Sequence, residues 1–469
     1  MSDPAPPRFA RLEEAALPLR LVAPDALEAA LAGLPPAQAA WARATGFRAG
    51  RGEVALLPGP DGEPAGALLG RGEGPGRQRF ALAAAAGRLP AGIWRLEGAS
   101  GAETREAGLG WLLDGIRFDR RAAPPEAPPR ARLAAPGAEA PLLESLAAAE
   151  ALGRSLIDAP ASELSPEGLE AAARALARRH GATLSVTAGR ALEDGFPLIA
   201  AVGRAAAPDR APRLLDLCWE GAAEGPRLTL VGKGVTFDTG GLDLKPSASM
   251  ALMKKDMGGA AHVLAAAEAI LAARWPVRLR VLIPVAENAV GPASLRPGDI
   301  LASRRGLTVE VNNTDAEGRL ILADALALAA EEGPDLCACF ATLTGAARVA
   351  LGPDLAPLFA TDDAWAGAVL GAAAEWFDPV WRLPFHEPYE ALIEPGHADL
   401  DNAPGGGMAG ALTAALFLRR FAPRPFLHFD VYAWCPKAEP GRPKGGTLQG
   451  VRALLAGIAA RWGMPWTPG

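Results

Sequence analysis

Two apolar, strand-like segments of this chain end in runs of acidic residues and glycines, and each run leads into a helical pattern. The second of them, Leu307 to Val311, alternates in hydrophobicity and is followed by Asn313-Thr-Asp-Ala-Glu-Gly-Arg-Leu320 and then by the Ala/Leu-rich stretch 320–330. Carboxylates at the carboxyl end of a strand, just before a helix, occupy the position where open α/β folds place their active sites. This order of elements predicts an α/β fold with a functional site at strand ends.

The first segment has the same form and lies upstream. It reads Leu228-Thr-Leu-Val-Gly-Lys-Gly-Val-Thr-Phe-Asp-Thr-Gly-Gly241, and Met250-Ala-Leu-Met-Lys-Lys-Asp-Met-Gly-Gly-Ala-Ala261 follows it. Taken alone, Asp-x-Glu-x-Arg is typical of a solvated, salt-bridged loop, and Gly-Lys-Gly of a turn with an exposed lysine. Several acids and two lysines at strand ends together favour a dinuclear metal site, because carboxylates are hard ligands for divalent cations.

Together the two blocks resemble those of the leucyl aminopeptidases, the cytosolic two-zinc peptidases of family M17. The resemblance is dense in Val231–Gly241, Lys245–Ala261 and Asn313–Leu320, and it continues through Thr342-Leu-Thr-Gly-Ala346. Weaker similarity runs from about residue 158 to about residue 453. It implies a hydrolase acting on peptide bonds, a metal-dependent aminopeptidase that releases N-terminal amino acids by means of a water bridged by two metal ions.

The resemblance also implies the residues that carry this chemistry. The ions would be Zn²⁺ or Mn²⁺, with Co²⁺ and Mg²⁺ as alternatives, and their ligands would be Lys233, Asp238, Asp256, Asp315 and Glu317. Asp238 and Glu317 would be shared by both ions. Lys245 would stabilise the tetrahedral intermediate as an electrostatic donor. Arg319 would hold a bicarbonate ion that acts as general base.

Substrate recognition is implied in less detail. The family's side-chain pocket corresponds to Met253 and Thr342, and the backbone at Leu343 would help to position a peptide with a free N-terminus. Where the family tends to carry smaller residues, this chain has Tyr432 and Trp434. We expect these bulky side chains to narrow the pocket, which leaves a preference for leucine open.

The length of 469 residues predicts two domains. Residues 1–122 are interpreted as a small N-terminal α/β domain, 123–141 as a Pro-rich linker, and 142–469 as the catalytic dinuclear-metal peptidase domain. Strands and helices alternate in the larger domain, which predicts a mostly parallel central sheet flanked by helices. A helix is expected from about 142 to 157, and another after Ser165, which would be its N-cap.

Composition excludes some classes of function. The net charge of −6 argues against nucleic-acid binding. The alternative of a DNA-binding or other non-catalytic member of the same family would depend on a cluster of arginines at 117, 120, 121, 130 and 132. Few cysteines, no secretory signal pattern and no long apolar run predict a cytoplasmic protein without a membrane span.

Three further features have competing interpretations. Cys337 and Cys339 alternate in a strand-like segment and are expected to pack in the core rather than to bind metal. His262 is expected to be structural rather than a ligand. The glycine-rich run 405–410 is equally compatible with a mobile wall of the site and with a plain helix-start loop. By resemblance, the assembly would be a homohexamer.

Overall fold

The computed structural model describes residues 6–11, 15–74, 78–116, 118 and 130–465. Its N-terminal part is an α/β domain. The strands are β1 (Leu17–Val22), β2 (Val54–Pro58), β3 (Pro64–Gly70), β4 (Gly92–Glu97) and β5 (Ala131–Leu133), and the helices are α1 (Leu27–Ala32), α2 (Pro36–Ala44) and α3 (Gly101–Asp114). The sheet order is β2-β3-β1-β4-β5, and only the edge strand β2 runs antiparallel to its neighbour among these described strands.

The segment predicted as a linker has structure in its second half. Residues 123–129 lie outside the described part of the chain, whereas Ala131–Leu133 pairs with β4 as the fifth strand of the N-terminal sheet. Ala131 and Leu133 are buried and Arg132 is exposed, so the short alternation suits an edge strand. The sequence did not predict this strand, because its three-residue alternation directly follows a Pro-rich stretch that is typical of a linker. The domain boundaries themselves stay a prediction.

The larger part begins with a long helix and then alternates between helices and strands. Its helices are α4 (Ala140–Asp158), α5 (Pro166–His180), α6 (Gly189–Gly195), α7 (Pro197–Gly203), α8 (Ser247–Met250), α9 (Gly258–Ala272), α10 (Glu317–Glu332), α11 (Gly345–Leu351), α12 (Asp363–Glu375), α13 (Gly410–Arg419) and α14 (Val451–Trp462). Its strands are β6 (Thr183–Ala188), β7 (Arg213–Glu220), β8 (Arg227–Gly232), β9 (Gly234–Asp238), β10 (Arg278–Asn288), β11 (Asp299–Ala302), β12 (Thr308–Val311), β13 (Leu336–Ala341), β14 (Ala356–Ala360), β15 (Val380–Arg382), β16 (Leu400–Asp401), β17 (Phe426–Asp430), β18 (Trp434–Cys435) and β19 (Gly445–Gly446).

The central sheet confirms the predicted architecture. Its order is β15-β14-β17-β13-β8-β10-β7-β6, with β9 also pairing with β10. The central strands β17, β13, β8 and β10 are parallel, and antiparallel pairs occur on both flanks, at β14 with β17 and at β7 with β10. The carboxyl ends of β8, β13 and β17 therefore meet at one edge of the sheet.

Side-chain alternation explains why helices cover both faces of this sheet. In β13, Leu336, Ala338 and Phe340 face one apolar cluster, which contains α9 and α4, whereas Cys337 and Cys339 face the other, which contains α7, α10 and α13. Successive residues of a strand point to opposite faces, so a strand buried on both sides reads as continuously apolar. Both cysteines are fully buried in this core, which confirms their predicted packing role.

The structure confirms the two helices predicted around residues 142 and 165. The helix expected from about 142 to 157 is α4, and the Ser165 side chain accepts a hydrogen bond from the Gly168 amide at the start of α5. This cap satisfies one of the free amides of the first turn. In the described residues, no helix has the length and apolar character that crossing a bilayer requires.

One strand differs in its setting from the prediction. β12, which precedes the acidic run 313–319, belongs to a separate three-stranded sheet of order β11-β12-β16 and not to the central sheet. The tight turn before it contains Gly306 at φ +83°, and this turn pairs β12 with its sequence neighbour β11. The acidic run nevertheless starts α10, which packs against the central strands β8 and β10.

Candidate metal centre

A cavity of about 420 Å³ lies at the carboxyl ends of β8, β9, β13 and β17, beside the starts of α9 and α10. Nearly all the residues predicted for the site line this cavity, namely Lys233, Asp238, Lys245, Met253, Asp256, Asp315, Arg319, Thr342 and Leu343. The carboxylate of Glu317, the first residue of α10, belongs to the same group of side chains. The structure thus brings all these predicted positions together.

Lys233 lies in the break between β8 and β9 and is almost fully buried. Its Nζ is 2.7 Å from Asp256 Oδ2 and 2.8 Å from Glu317 Oε1, and it donates a hydrogen bond to the Thr342 carbonyl at 3.1 Å. Burial opposes the charged amine, but the two carboxylates outweigh burial and raise the pKa of Lys233 above its ordinary value. The amine therefore sits between two of the predicted metal ligands.

Two glycines are required by this arrangement. A Cβ on Gly318 would come within 2.5 Å of Lys233 Cε, and a Cβ on Gly259 would come within 2.2 Å of the Phe340 carbonyl oxygen. The glycine in the run 313–319 therefore leaves room for the lysine side chain of another element. The Gly258-Gly259 pair lets α9 start against the end of β13.

Asp238, Asp315 and Glu317 form a compact carboxylate group. Each offers an oxygen, and these oxygens all lie within 4.8 Å of one another. Asp238 Oδ1 accepts hydrogen bonds from Asn288 Nδ2 and from the Gly240 amide, both at 2.8 Å, so its Oδ2 is left to face Lys245 Nζ at 2.7 Å. Lys245 also pairs with Asp315.

Two carboxyl groups of this cluster hold their protons more tightly than usual, despite the nearby lysines. Burial, reinforced by the charge of Asp238, raises the pKa of Glu317 to about 8 and that of Asp315 to about 6. Glu317 Oε1 faces Lys233 Nζ at 2.8 Å, whereas its Oε2 is buried and has no partner among the described residues. Several acids in one small volume suit divalent cations, which neutralise such crowding and prefer oxygen ligands. The residues present therefore fit a divalent metal site.

Arg319 is also buried beside the cavity. One of its terminal nitrogens donates to the Asn402 carbonyl, while its Nε is buried and makes no hydrogen bond to the described residues. Burial lowers the pKa of Arg319 to about 10, against the opposing charges of Asp430 and Glu317. A guanidinium with a free donor fits a small oxyanion such as bicarbonate.

The segment after β13 is fixed by Asp430, the last residue of β17. Asp430 Oδ1 accepts hydrogen bonds from the amides of Leu343 and Thr344 at 3.1 and 3.0 Å, and its Oδ2 accepts from the Thr344 hydroxyl at 2.6 Å. Burial raises the pKa of this carboxyl to about 6. Asp430 therefore fixes the backbone at Leu343 and Thr344 by occupying both amides.

Tyr432 and Trp434 lie in different places. Tyr432 lines the cavity, as expected, whereas Trp434 lines a second cavity together with Phe118, Arg154 and Asp158. The expectation that both narrow the pocket is therefore wrong for Trp434. The reason is the left-handed conformation of Ala433, at φ +60°, which turns the chain between the two side chains.

His262 is structural, as predicted. Its Nε2 accepts a hydrogen bond from the Gln449 amide at 2.9 Å, so its Nδ1 is the donor to the Gly258 carbonyl at 2.6 Å. Gln449 Oε1 in turn accepts from the amides of Tyr432 and Ala433. Burial lowers the pKa of His262 to about 4, which keeps the ring neutral. The histidine therefore supports the backbone that carries Tyr432.

Sequence reasoning missed several residues that shape the site: Asn288, Thr314, Gln449, Lys255 and Arg348. The first three act through hydrogen bonds to backbone or ligand side chains, and no local pattern identifies them. Lys255 carried a signal, since it directly precedes the predicted ligand Asp256. Burial lowers the pKa of Lys255 to about 8.

The arginine cluster on which DNA binding would depend gives no support. Arg117, Arg120 and Arg121 lie outside the described residues. Arg132 is exposed and donates a hydrogen bond to the Phe9 carbonyl. Residues 405–408 of the glycine-rich run form an exposed loop, and Gly410 begins α13 and lines the cavity.

Comparison with protein families gives two matches. Residues 151–455 match "Cytosol aminopeptidase family, catalytic domain", and residues 17–136 match "M17 aminopeptidase, N-terminal domain". A probable cytosol aminopeptidase from Synechococcus sp. (strain JA-3-3Ab) is 41% identical over 322 residues, 67% of this chain. In this relative and three others, the aligned region covers 62–63% of the relative's own length.

Solved structures match over nearly the whole chain. The cytosol aminopeptidase from Coxiella burnetii superposes with a TM-score of 0.90 at 39% identity, covering 96% of this chain and 98% of the other. The bottromycin maturation enzyme BotP in complex with Mn superposes with a TM-score of 0.85 at 33% identity, covering 96% of this chain and all of the other.

Proposed function

The chain belongs to the cytosol aminopeptidase family, M17, and from that premise we propose that it is a metal-dependent aminopeptidase that releases N-terminal residues from peptides. The observation that carries the proposal is the group of Asp238, Asp315 and Glu317 beside the cavity, whose oxygens lie within 4.8 Å of one another. Glu317 Oε2 is buried and has no hydrogen-bond partner among the described residues. Lys233 and Lys245 pair with other acidic oxygens of the group but leave Glu317 Oε2 unsatisfied, which a purely structural network would normally avoid.

Five residues would hold two divalent ions. Asp238 and Glu317 would be shared, Lys233 and Asp256 would complete one site, and Asp315 would complete the more exchangeable one. Bound there, the ions supply a nucleophilic water at neutral pH and polarise the scissile carbonyl. Zn²⁺ and Mn²⁺ are the first choices, and a relative's structure with Mn supports testing that ion first.

The chain's own cations would act on charge that develops during hydrolysis. Lys245 Nζ lies at the cavity wall beside Asp238 and would stabilise the oxyanion of the tetrahedral intermediate. Arg319 Nε, which makes no hydrogen bond to the described residues, would hold a bicarbonate ion, and the bound anion would supply a general base at the site. No histidine lines the cavity among the described residues.

Substrate positioning would come from the segment after β13. Met253 and Thr342 would contact the first side chain, and the carbonyl of Leu343 would accept a hydrogen bond from the substrate's backbone. The Thr342 hydroxyl donates to Asp256 Oδ1 at 2.8 Å, so the same residue also steadies a ligand. A peptide with a free N-terminus suits this site because a neutral amine can also bind a metal ion.

We further propose a cytoplasmic homohexamer. Val349 and Met408 are 87% and 86% exposed, and apolar side chains this exposed suit burial in an assembly. Light scattering of the purified protein tests the hexamer, and a monomer at micromolar concentration would refute it.

The aminopeptidase is tested with a panel of aminoacyl-p-nitroanilides and dipeptides after dialysis against a chelator and reloading with Zn²⁺, Mn²⁺ or Co²⁺. Asp256→Ala and Glu317→Ala are expected to abolish activity and to lower metal content. Glu331→Ala, an exposed position on the same helix α10, is the matched control. Full occupancy by two ions in both ligand variants would overturn the assignment.

A further inference from the structure

Two cations flank the ring of Tyr432 in the cavity. Lys255 Nζ lies 5.0 Å from the ring centroid, and Arg348 Cζ lies 4.6 Å from it. Lys255 directly precedes Asp256, and Arg348 lies on α11, so two separate elements bring their charges to one aromatic side chain. All three side chains line the cavity that contains the carboxylate group.

These two cations differ from the others at the cavity. Lys233 and Lys245 are paired with carboxylates. By contrast, neither Lys255 nor Arg348 forms an ion pair or a side-chain hydrogen bond within the described ranges, and the Tyr432 ring is the interaction that each makes. Lys255 is only 4% exposed.

A buried ammonium without an anion is costly unless something pairs with it. The face of a tyrosine ring attracts a cation but carries no net charge, so it compensates only partly. Two like charges beside one ring also repel each other. An anion placed between the two cations would offset the cost of burying the Lys255 ammonium and would reduce the repulsion between them.

We propose that Lys255, Arg348 and Tyr432 form a recognition site for the carboxylate side chain of the substrate's first residue, aspartate or glutamate. This proposal rests on the aminopeptidase function. Lys255 lies between Asp256, a predicted metal ligand, and Met253, a predicted contact of the first side chain. Tyr432 fills space that a bulky apolar side chain would need, and a slender acidic side chain fits beside the ring.

The effect of charge on the first residue is measured by comparing kcat/KM for glutamyl- and glutaminyl-p-nitroanilide, which have nearly the same shape. For the metal-loaded wild-type enzyme we expect kcat/KM to favour the glutamyl substrate by about tenfold or more, since charge-assisted bonds replace neutral ones. Lys255→Gln and Arg348→Gln should each reduce this ratio toward one. Metal content is measured for each variant.

Lys254→Gln is the matched control, because Lys254 is the adjacent residue but donates to the Asp158 carbonyl at 2.5 Å, outside the cavity. It should keep the wild-type ratio. A second control replaces the anilides by glutamyl and glutaminyl dipeptides, which add a carboxylate at the far end of the substrate.

The outcomes separate this proposal from the proposed function. One outcome is that the enzyme hydrolyses neutral substrates while its kcat/KM for the glutamyl substrate is no higher than that for the glutaminyl substrate. That result would overturn the acidic preference and leave the aminopeptidase function intact. If Arg348→Gln changed kcat/KM only for dipeptides, the acidic preference would also be overturned. The cations would then bind the substrate's C-terminal carboxylate and not its first side chain. No hydrolysis of any substrate by the metal-loaded enzyme would overturn the aminopeptidase itself.

Discussion

At the scale of single residues, Lys233 has the least usual proposed role. An amine binds a metal only when it is neutral, yet the two carboxylates beside Lys233 raise its pKa. Two adjacent dications would reverse that balance, because they would repel the ammonium and occupy the carboxylates that now stabilise it. Metal binding at this site should therefore release a proton from the lysine.

Lys245 has a role that can be separated from metal binding. Lys245→Ala should keep both ions, because the five ligands remain, but should lose rate by about a hundredfold or more, the usual effect of removing one oxyanion donor. Metal analysis and kcat on one preparation measure both quantities. Near wild-type turnover would show that Lys245 does not stabilise the transition state.

Tyr432 sets the size of the first-residue pocket in our interpretation. Tyr432→Ala should shift preference toward Leu and Phe without changing metal content, with changes on the scale of about 1–3 kcal/mol that hydrophobic pockets show per methylene. Values of kcat/KM for Ala, Met, Leu and Phe substrates measure this shift. An unchanged ranking would mean that the ring contributes only to packing.

Glu317 should make the metal-free protein sensitive to pH. Its pKa is raised from 4.5 to about 8 in the folded protein, so the folded state binds more protons than the unfolded state between these values. The contribution of Glu317 to stability therefore falls as pH rises through this window. In chelator, the melting temperature of wild type relative to Glu317→Gln should fall from pH 5 to pH 8. A constant difference would contradict the raised pKa.

At the scale of elements, the ends of parallel strands explain what could be predicted. The runs 233–241 and 313–319 each follow a strand, and the helices α9 and α10 bring them together. Sequence reasoning placed the ligands because each motif is local and glycine-rich. It did not find Asn288 or Asp430, because their partners are distant along the chain and their own segments read as ordinary strands.

The variant Asp430→Asn tests whether the last residue of β17 positions the backbone of the site. Asp430→Asn replaces one acceptor oxygen by an amide group, which faces a donor of Thr344 or Leu343 and leaves it unsatisfied. This should cost about 1–3 kcal/mol of unfolding free energy, and it should lower kcat/KM for all substrates alike, since the Leu343 backbone moves. Urea denaturation and a substrate panel measure the two effects.

Thr344→Ser is the control for Asp430→Asn, because it keeps the hydroxyl that donates a hydrogen bond to Asp430 Oδ2. It should retain most of the stability and rate. Wild-type stability of Asp430→Asn would show that the carboxylate is not needed to hold the segment after β13.

At the scale of the whole molecule, the two α/β domains are joined by a continuous apolar cluster. It includes Trp94 and Leu109 of the N-terminal part and Leu143 and Ile157 of α4. Polar contacts add to it, since Arg154 donates to the Leu113 carbonyl at 3.0 Å and Arg105 pairs with Glu375 at 2.7 Å. The fold class was predictable from alternation and motif order. The shared core was not, because it depends on how the domains pack.

Metal binding should stabilise this molecule as a unit. The proposed ligands come from the ends of β8 and β9 and from the starts of α9 and α10, which lie on opposite faces of the central sheet. The unfolded chain cannot hold them together, so metal binds the folded state alone. A hundredfold excess over Kd should add about 2.7 kcal/mol to the unfolding free energy for each ion, and chelation should lower the melting temperature correspondingly.

Scanning calorimetry with and without chelator measures this stabilisation, and Glu317→Ala is the decisive comparison. The variant lacks a ligand that both ions would share, so added metal should raise its melting temperature much less than that of wild type. If metal stabilised Glu317→Ala as strongly as wild type, the stabilising ions would lie elsewhere in the molecule. The metal-free melting temperatures of both proteins serve as the baseline, because Glu317 also pairs with Lys233 Nζ at 2.8 Å and its removal changes stability without metal. A smaller metal-induced rise over that baseline is therefore what identifies Glu317 as part of the metal site.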